Sequence, residues 1–269
     1  MPIYNGEKYM RQSIESVINQ TYKNWELIII DECSSDNTPI IAKEYVEKDK
    51  RIRYYRNETN LKLPRGLNRG FSLSNGEYLT WTSDDNMFKP KAIEILIDRL
   101  LENKSDFVFS SFSKINDNEE IIERITWEEN DVSLIPVMNI VGPCFLYTRT
   151  VYEEIGDYNP NLFLAEDYDY WRRIYYKYGA TFVKDNLYLY RMHEGALTST
   201  MRKKDFYRSL CTILLENKKL FSNYTLEMKC RYYETMYFGK KELNEHYLFY
   251  MIMYYIDMYV MSIKRKFKK

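Results

Sequence analysis

Over its first 110 residues this chain repeats one order, an apolar run, a polar loop and then a segment with helical spacing, and that repetition limits the possible folds more than any other feature. Residues 25–30 contain an unbroken apolar run, Leu27-Ile28-Ile29-Ile30, which fits a parallel strand covered on both faces and ends on Asp31 and Glu32. Ahead of it, residues 7–19 place Met10, Ile14, Val17 and Ile18 on one face of an amphipathic helix. After it comes a capping-rich loop, residues 33–38, with Asn37 or Thr38 as N-cap and Pro39 at the first helical position; residues 40–49 then read as helix. A third strand is expected at 52–56, helix at 65–74, a fourth strand at 78–82, helix at 90–103 and a fifth strand from Phe107. Such alternation implies βαβ units with right-handed crossovers in a mainly parallel sheet flanked by helices, an α/β fold.

The fourth strand runs directly into Ser83-Asp84-Asp85-Asn86. In an open α/β sheet, ligands sit at the carboxyl ends of the strands, so acids there face a crevice. Two adjacent carboxylates repel and are costly to desolvate, and a hard divalent cation carrying phosphate oxygens relieves both problems. The competing reading is a turn in which Ser83, Asp84 or Asn86 caps local backbone donors.

Beyond residue 110 the rhythm changes. Residues 116–118 read as a turn, 121–127 as an antiparallel strand, 142–147 as another strand and 149–155 as a short helix. Asp167, Trp171, Ile174 and Tyr178 fall at helical spacing, with Asp167 near the helix start, where a carboxylate also has a purely structural role against the helix dipole. Residues 181–183 and 187–190 read as strands, followed by Arg191-Met192-His193-Glu194. From Asp205 onward the pattern is helical. The expected organisation is a domain over 1–204, divided into halves 1–110 and 111–204, with a helical C-terminal extension over 205–269.

Composition narrows the function classes. Lys plus Arg equals Asp plus Glu at 39 each, so nothing suggests a nucleic-acid surface. The four cysteines form no CxxC pair, which points to neither a zinc site nor a disulfide framework. The 27 tyrosines suit wet grooves and membrane interfaces. Met1 is followed at once by Pro2 rather than by a basic and then apolar segment, so no signal peptide is visible and a cytoplasmic location is expected. The last apolar stretch, 247–263, is interrupted by Asp257 and falls short of the about 20 apolar residues a spanning helix needs. It reads instead as an interfacial or packed helix. The basic run Lys264-Arg265-Lys266-Phe267-Lys268-Lys269 would add attraction to anionic lipid, roughly 1 kcal/mol per basic residue near the surface, which makes peripheral contact with the inner face of the membrane an expectation.

Several pieces together resemble the family 2 glycosyltransferases with the GT-A fold: Pro2-Ile3-Tyr4-Asn5-Gly6-Glu7, the 13–22 segment, Glu26 to Asp31, Ser34-Ser35-Asp36-Asn37-Thr38, Gly76-Glu77-Tyr78-Leu79 with Asp84-Asp85, and Glu166-Asp167, in the family's order across about residues 1–200. The resemblance implies that Tyr4 stacks near the nucleobase and that Asp31 and Glu32 contact base and ribose. Glu32 stands where a second aspartate is common and Cys33 where a glycine is common. Asp84 is expected toward ribose and metal, and Asp85 as ligand of a manganese or magnesium ion bridging the donor diphosphate. Asp167 matches the general base of inverting members, with Glu166 orienting it. His193 falls where members often carry a histidine near diphosphate and metal; a neutral structural histidine is the alternative. Arg65 and Arg69 either approach phosphate or remain exposed on a polar helix face. Family members usually carry several apolar residues ahead of the Pro-Ile-Tyr-Asn segment, so the first strand here is expected to be short. The implied activity is metal-dependent, inverting transfer of a hexose-type sugar from a nucleoside-diphosphate donor, with uridine as the base, to a glycan or lipid-linked acceptor in bacterial surface polysaccharide synthesis. The alternative is a noncatalytic nucleotide-sugar-binding or assembly subunit on the same fold.

Overall fold

The computed structural model describes residues 1–200, 202–216 and 218–266. The first half alternates as the sequence predicts except for β5, a short strand the sequence did not reveal: β1 (Pro2–Ile3), α1 (Met10–Ile18), β2 (Leu27–Asp31), α2 (Thr38–Lys48), β3 (Ile52–Arg56), α3 (Leu63–Ser72), β4 (Tyr78–Leu79), β5 (Met87–Phe88) and α4 (Ala92–Glu102). Pro39 lies in the first turn of α2, where its missing N–H leaves no hydrogen bond unmade. The expected fourth strand leaves the ladder after Leu79, and its polar continuation becomes the acidic loop.

The second half follows as β6 (Phe107–Ile115), β7 (Ile121–Ile125), a 3-10 turn (Glu129–Leu134), β8 (Phe145–Thr148), α5 (Arg149–Ile155), α6 (Glu166–Tyr178) and β9 (Thr181–Arg191). Where the sequence suggests two strands there is one, β9, which pairs parallel with β6 from Val108 opposite Thr181 to Ile115 opposite Arg191. Its register slips between Ser110 and Phe112, so the polar Lys184 and Asp185 form a bulge that interrupts the apolar pattern without ending the strand. Helices α7 (Leu197–Thr200), α8 (Lys203–Glu216), α9 (Leu226–Glu242) and α10 (Leu248–Lys266) complete the described chain.

The strands form two sheets flanked by helices. One is parallel, in the order β1-β2-β3; the other is mixed, in the order β4-β8-β6-β9-β5, with β7 on β6. Parallel pairing is confined to β1–β3 and to β6 with β9, and the remaining pairs are antiparallel. One core packs α1, α2 and α4 on the sheets through residues such as Ile14, Ile29, Leu96, Val108 and Leu146. A second is aromatic and uses tyrosines that composition alone assigned to wet surfaces. Tyr158 stacks on Tyr170 at 3.9 Å between ring centroids, and Phe145 lies 4.2 Å from Trp171. A third core joins Cys211, Leu214, Tyr232 and Met236 of the C-terminal helices to Leu134 and Val137. Among the described residues no helix is long and apolar enough to cross a membrane. Of the basic C-terminal run, Phe267, Lys268 and Lys269 lie outside the described residues.

Candidate donor and acid-base site

The segments that follow β1, β2 and β4 meet: Asn5 and Gly6 bond to the loop before α2, and Asp84 reaches Gly6. After β1, Asn5 adopts φ +54° and turns the chain back on the loop preceding α2. That contact is fastened by Asn5 N–H donating to Ser34 Oγ at 2.9 Å, Ser35 N–H to Asn5 Oδ1 at 2.8 Å and Gly6 N–H to Thr38 Oγ1 at 2.9 Å. The Tyr4 ring next to these bonds is 54% exposed and so offers an open aromatic face.

Asp31, the last residue of β2, is fully buried. Its Oδ1 accepts from Ser34 N–H at 2.8 Å and its Oδ2 from the Tyr54 hydroxyl at 2.6 Å, with the Arg56 guanidinium 3.8 Å away. Both oxygens are therefore engaged within the protein, where they shape the loop. Glu32 is also buried; its Oε2 accepts from Leu61 N–H at 2.7 Å, while Oε1 has no partner. A β-carbon on Gly66 of α3 would collide with that Oε1, so this glycine makes room for the extra methylene that distinguishes Glu32 from aspartate. Arg65, one residue earlier, is exposed, whereas Arg69 is tied to the Arg56 carbonyl and to Asn57.

The acidic loop rests on the same wall. Asp84 Oδ2 occupies the space that a β-carbon on Gly6 would take. Ser13 of α1 donates to the Ser83 carbonyl at 2.8 Å, and the Thr82 and Tyr188 hydroxyls bond at 2.6 Å. Burial first, and the neighbouring Asp85 charge second, push the Asp84 carboxyl up to about 7. Asp85 Oδ2 lies 3.1 Å from His193 Nε2, while Asp85 Oδ1 is buried with no partner. Two residues before that histidine, Arg191 bonds to the same loop and is 1% exposed; sequence reasoning passed over it because its pattern is that of an ordinary strand end.

In the second half of the chain, Leu164 has φ +76°, a strained conformation for a branched side chain just before α6. Asp167 stands in the first turn of α6, with Oδ1 accepting from Tyr168 N–H at 2.6 Å and Oδ2 from Asn139 Nδ2 at 3.1 Å. Burial raises its carboxyl above the ordinary range. Glu166 is 3% exposed, its Oε2 is unpartnered, and burial together with the Asp167 charge pushes it up to about 8. Burial thus raises both sequence neighbours and leaves Glu166 protonated at neutral pH. Asn139 carried no signal in the sequence, because its role depends on a contact 28 residues away. Tyr190 links the two regions. Its phenol is raised chiefly by burial, with the charges of Asp85 and Asp167 adding to the effect.

The residues present fit a divalent cation. Asp85 supplies a buried oxygen lacking any partner, and His193 a ring nitrogen beside it. Among the described residues no group of three or more His, Cys, Asp or Glu side chains could hold a metal. The protein would thus provide a partial shell, with the remaining positions left to phosphate oxygens and water, as hard cations in phosphate-transfer sites accept.

A helix-flanked sheet with acids gathered at its carboxyl ends defines an α/β protein of the GT-A type. The chain belongs to glycosyl transferase family 2, whose profile matches residues 1–156. It is 32% identical over 210 residues to an uncharacterized glycosyltransferase of Rickettsia typhi, covering 74% of this chain and 65% of that protein, slightly under two thirds of the relative's length. It is 27% identical over 218 residues to the glycosyltransferase GlyG of Streptococcus pneumoniae, covering 74% and 72% of the two chains. Among solved structures, Staphylococcus aureus TarS in complex with UDP-GlcNAc superposes with a TM-score of 0.65, over 90% of this chain and 79% of that one. At 17% identity that likeness speaks for the fold.

Proposed function

We propose that the chain is a metal-dependent, inverting glycosyltransferase that moves a hexose-type sugar from a nucleoside diphosphate to a hydroxyl of a glycan or lipid-linked acceptor in surface polysaccharide synthesis. The observation that carries this reading is the separation of two carboxylate centres: Asp85, unpartnered on one oxygen and set beside His193, and Asp167, hydrogen-bonded to Asn139 with its pKa raised. TarS, which shares the fold, is described with UDP-GlcNAc, and this supports uridine as the base. In this reading residues 1–110 form the donor half and 111–204 the acceptor half of one domain, with residues from 205 onward as an extension.

Tyr4 stacks on the base, Glu32 offers its free Oε1 to base or ribose, and Asp84 lies toward the ribose and cation. Arg65, exposed at the start of α3, is free to meet a phosphate. Asp85 and His193 would hold manganese or magnesium, which when bound neutralises charge on the departing diphosphate. Asp167 accepts the proton of the acceptor hydroxyl as that oxygen bonds to the anomeric carbon; the bond from that carbon to the diphosphate oxygen breaks, and the diphosphate leaves with the electron pair on the opposite face. A base with its pKa raised toward neutrality removes that proton more readily than an ordinary aspartate while remaining ionised above its pKa.

The test is transfer from UDP-sugars, with and without manganese, by the wild type, Asp85→Ala and Asp167→Ala. Asp85→Ala is expected to abolish metal-dependent transfer, and Asp167→Ala to abolish transfer while sparing donor binding. Transfer by Asp167→Ala at the wild-type rate would remove the assigned base.

The same reading places the protein at the inner face of the membrane. On α10, Tyr250, Met253 and Tyr254 pack against the C-terminal core, whereas Leu248, Phe249, Ile252, Tyr255, Ile256 and Met258 are exposed. The exposed set recurs at helical spacing, and the basic run follows in the sequence, an arrangement suited to an interfacial helix on anionic lipid. Sedimentation with phosphatidylglycerol vesicles should recover the wild type and lose the double variant Ile252→Asp, Ile256→Asp. Equal recovery of both would rule this surface out.

A further inference from the structure

Arg191 closes β9, and its side chain is fully buried. Burying a guanidinium is costly unless its donors are satisfied, and here each nitrogen has a partner. Nε donates to the Asp85 carbonyl at 3.1 Å, Nη1 to the Asn116 and Asp117 carbonyls at 3.3 and 3.2 Å, and Nη2 to Gln12 Oε1 at 2.7 Å. Its main-chain N–H donates to Asn86 Oδ1 at 2.8 Å. The guanidinium carbon lies 4.7 Å from the centroid of the Tyr9 ring, and that ring packs 4.9 Å from the ring of His193. The Tyr9 hydroxyl in turn donates to Asp117 at 2.8 Å.

Asp85 is therefore held at both ends, its carbonyl by Arg191 and its carboxylate by His193, two residues further along the chain. The same fork ties α1 and the β6–β7 turn to this point. A hydrophobic side chain could pack these elements together but could not fix the Asp85 carbonyl. A lysine carries the charge but not the planar fork that reaches three elements at once.

We propose that Arg191 is a positioning residue for the Asp85–His193 pair, setting the orientation in which both side chains face a divalent cation. The proposal rests on the reading of that pair as the cation site. Orienting partners behind metal ligands commonly account for about 10–100-fold in metal affinity.

The experiment compares the wild type with Arg191→Lys by two measurements. The first is the imidazole NMR signals of metal-free protein, in which exposed His246, the second of two histidines, serves as internal control. The second is manganese titration in the presence of UDP, followed by the electron paramagnetic resonance of free manganese. Arg191→Lys is expected to move the His193 signals, leave those of His246 in place and weaken manganese binding about tenfold. Unmoved His193 signals, or unchanged manganese affinity in a folded variant, would overturn the proposal and leave Arg191 only a stabilising contact. If Arg191→Lys does not fold, Gln12→Ala, which removes only the Nη2 acceptor, must move the His193 signals; unmoved signals overturn the proposal equally. If the wild type binds no manganese, the cation-site reading falls, while the metal-free His193 signals still decide whether Arg191 orients the pair.

Discussion

Glu166 and Asp167 show how much environment adds to residue identity. Glu166 titrates near 8 in the folded protein against an ordinary 4.5, so the native state binds its proton more tightly than the unfolded chain does. Its contribution is therefore most favourable below the ordinary value and declines as pH rises through the window from 4.5 to about 8, by up to about 1.4 kcal/mol per pH unit. Glu166→Gln should remove that slope. Urea midpoints at pH 5 and pH 8 should show the variant gaining on the wild type at the higher pH, and parallel midpoints would contradict this. Asp84, raised by the same cause, titrates in both proteins and cancels in the comparison. Asp167 must be ionised to act as base, so the acid limb of the transfer rate should lie above the ordinary carboxylate range. Asp167→Asn should lower the rate by about 10²–10⁴-fold with donor affinity unchanged by calorimetry.

At the scale of elements, the loops carry more specification than the strands. Gly142, in the connection to β8, has φ +66°, and a β-carbon there would strike the ring of Phe112 in β6. Gly142→Ala combines left-handed strain with overpacking and should cost about 2–4 kcal/mol, read as a lowered urea midpoint. The sequence showed the strand that carries Phe112 but not this contact, since turn chemistry reveals a bend and not what the bend touches. The bulge in β9 is a similar case: alternating polarity suggested a break at residues 184–186, while pairing with β6 carries the strand across it.

At the scale of the whole molecule, the C-terminal helices share a core with Leu134 and Val137 and do not merely trail from the sheet. A chain ending at residue 204 would expose that apolar surface and should melt at a lower temperature by circular dichroism. A midpoint equal to that of the longer chain would show that the helices form an independent unit. Trp171, fully buried among Phe107, Phe145 and Tyr158, anchors the aromatic core. Trp171→Ala should cost about 3–5 kcal/mol.

The sequence by itself determined the alternation of strands and helices through residue 110 apart from the short β5, the placement of Asp31 and Glu32 where β2 ends, of Asp84 and Asp85 in the loop that follows β4, and of Asp167 at a helix start, because these depend on local periodicity and capping. Only the tertiary structure decided that Asp31 spends both oxygens inside the protein while Glu32 and Asp85 each keep one unpartnered. It also decided that His193 meets Asp85, that Asn139 holds Asp167 and that buried Arg191 joins three elements. Those outcomes arise from contacts between residues far apart in the chain and from burial, which shifts a carboxyl's proton affinity, and neither is encoded in any short window of sequence.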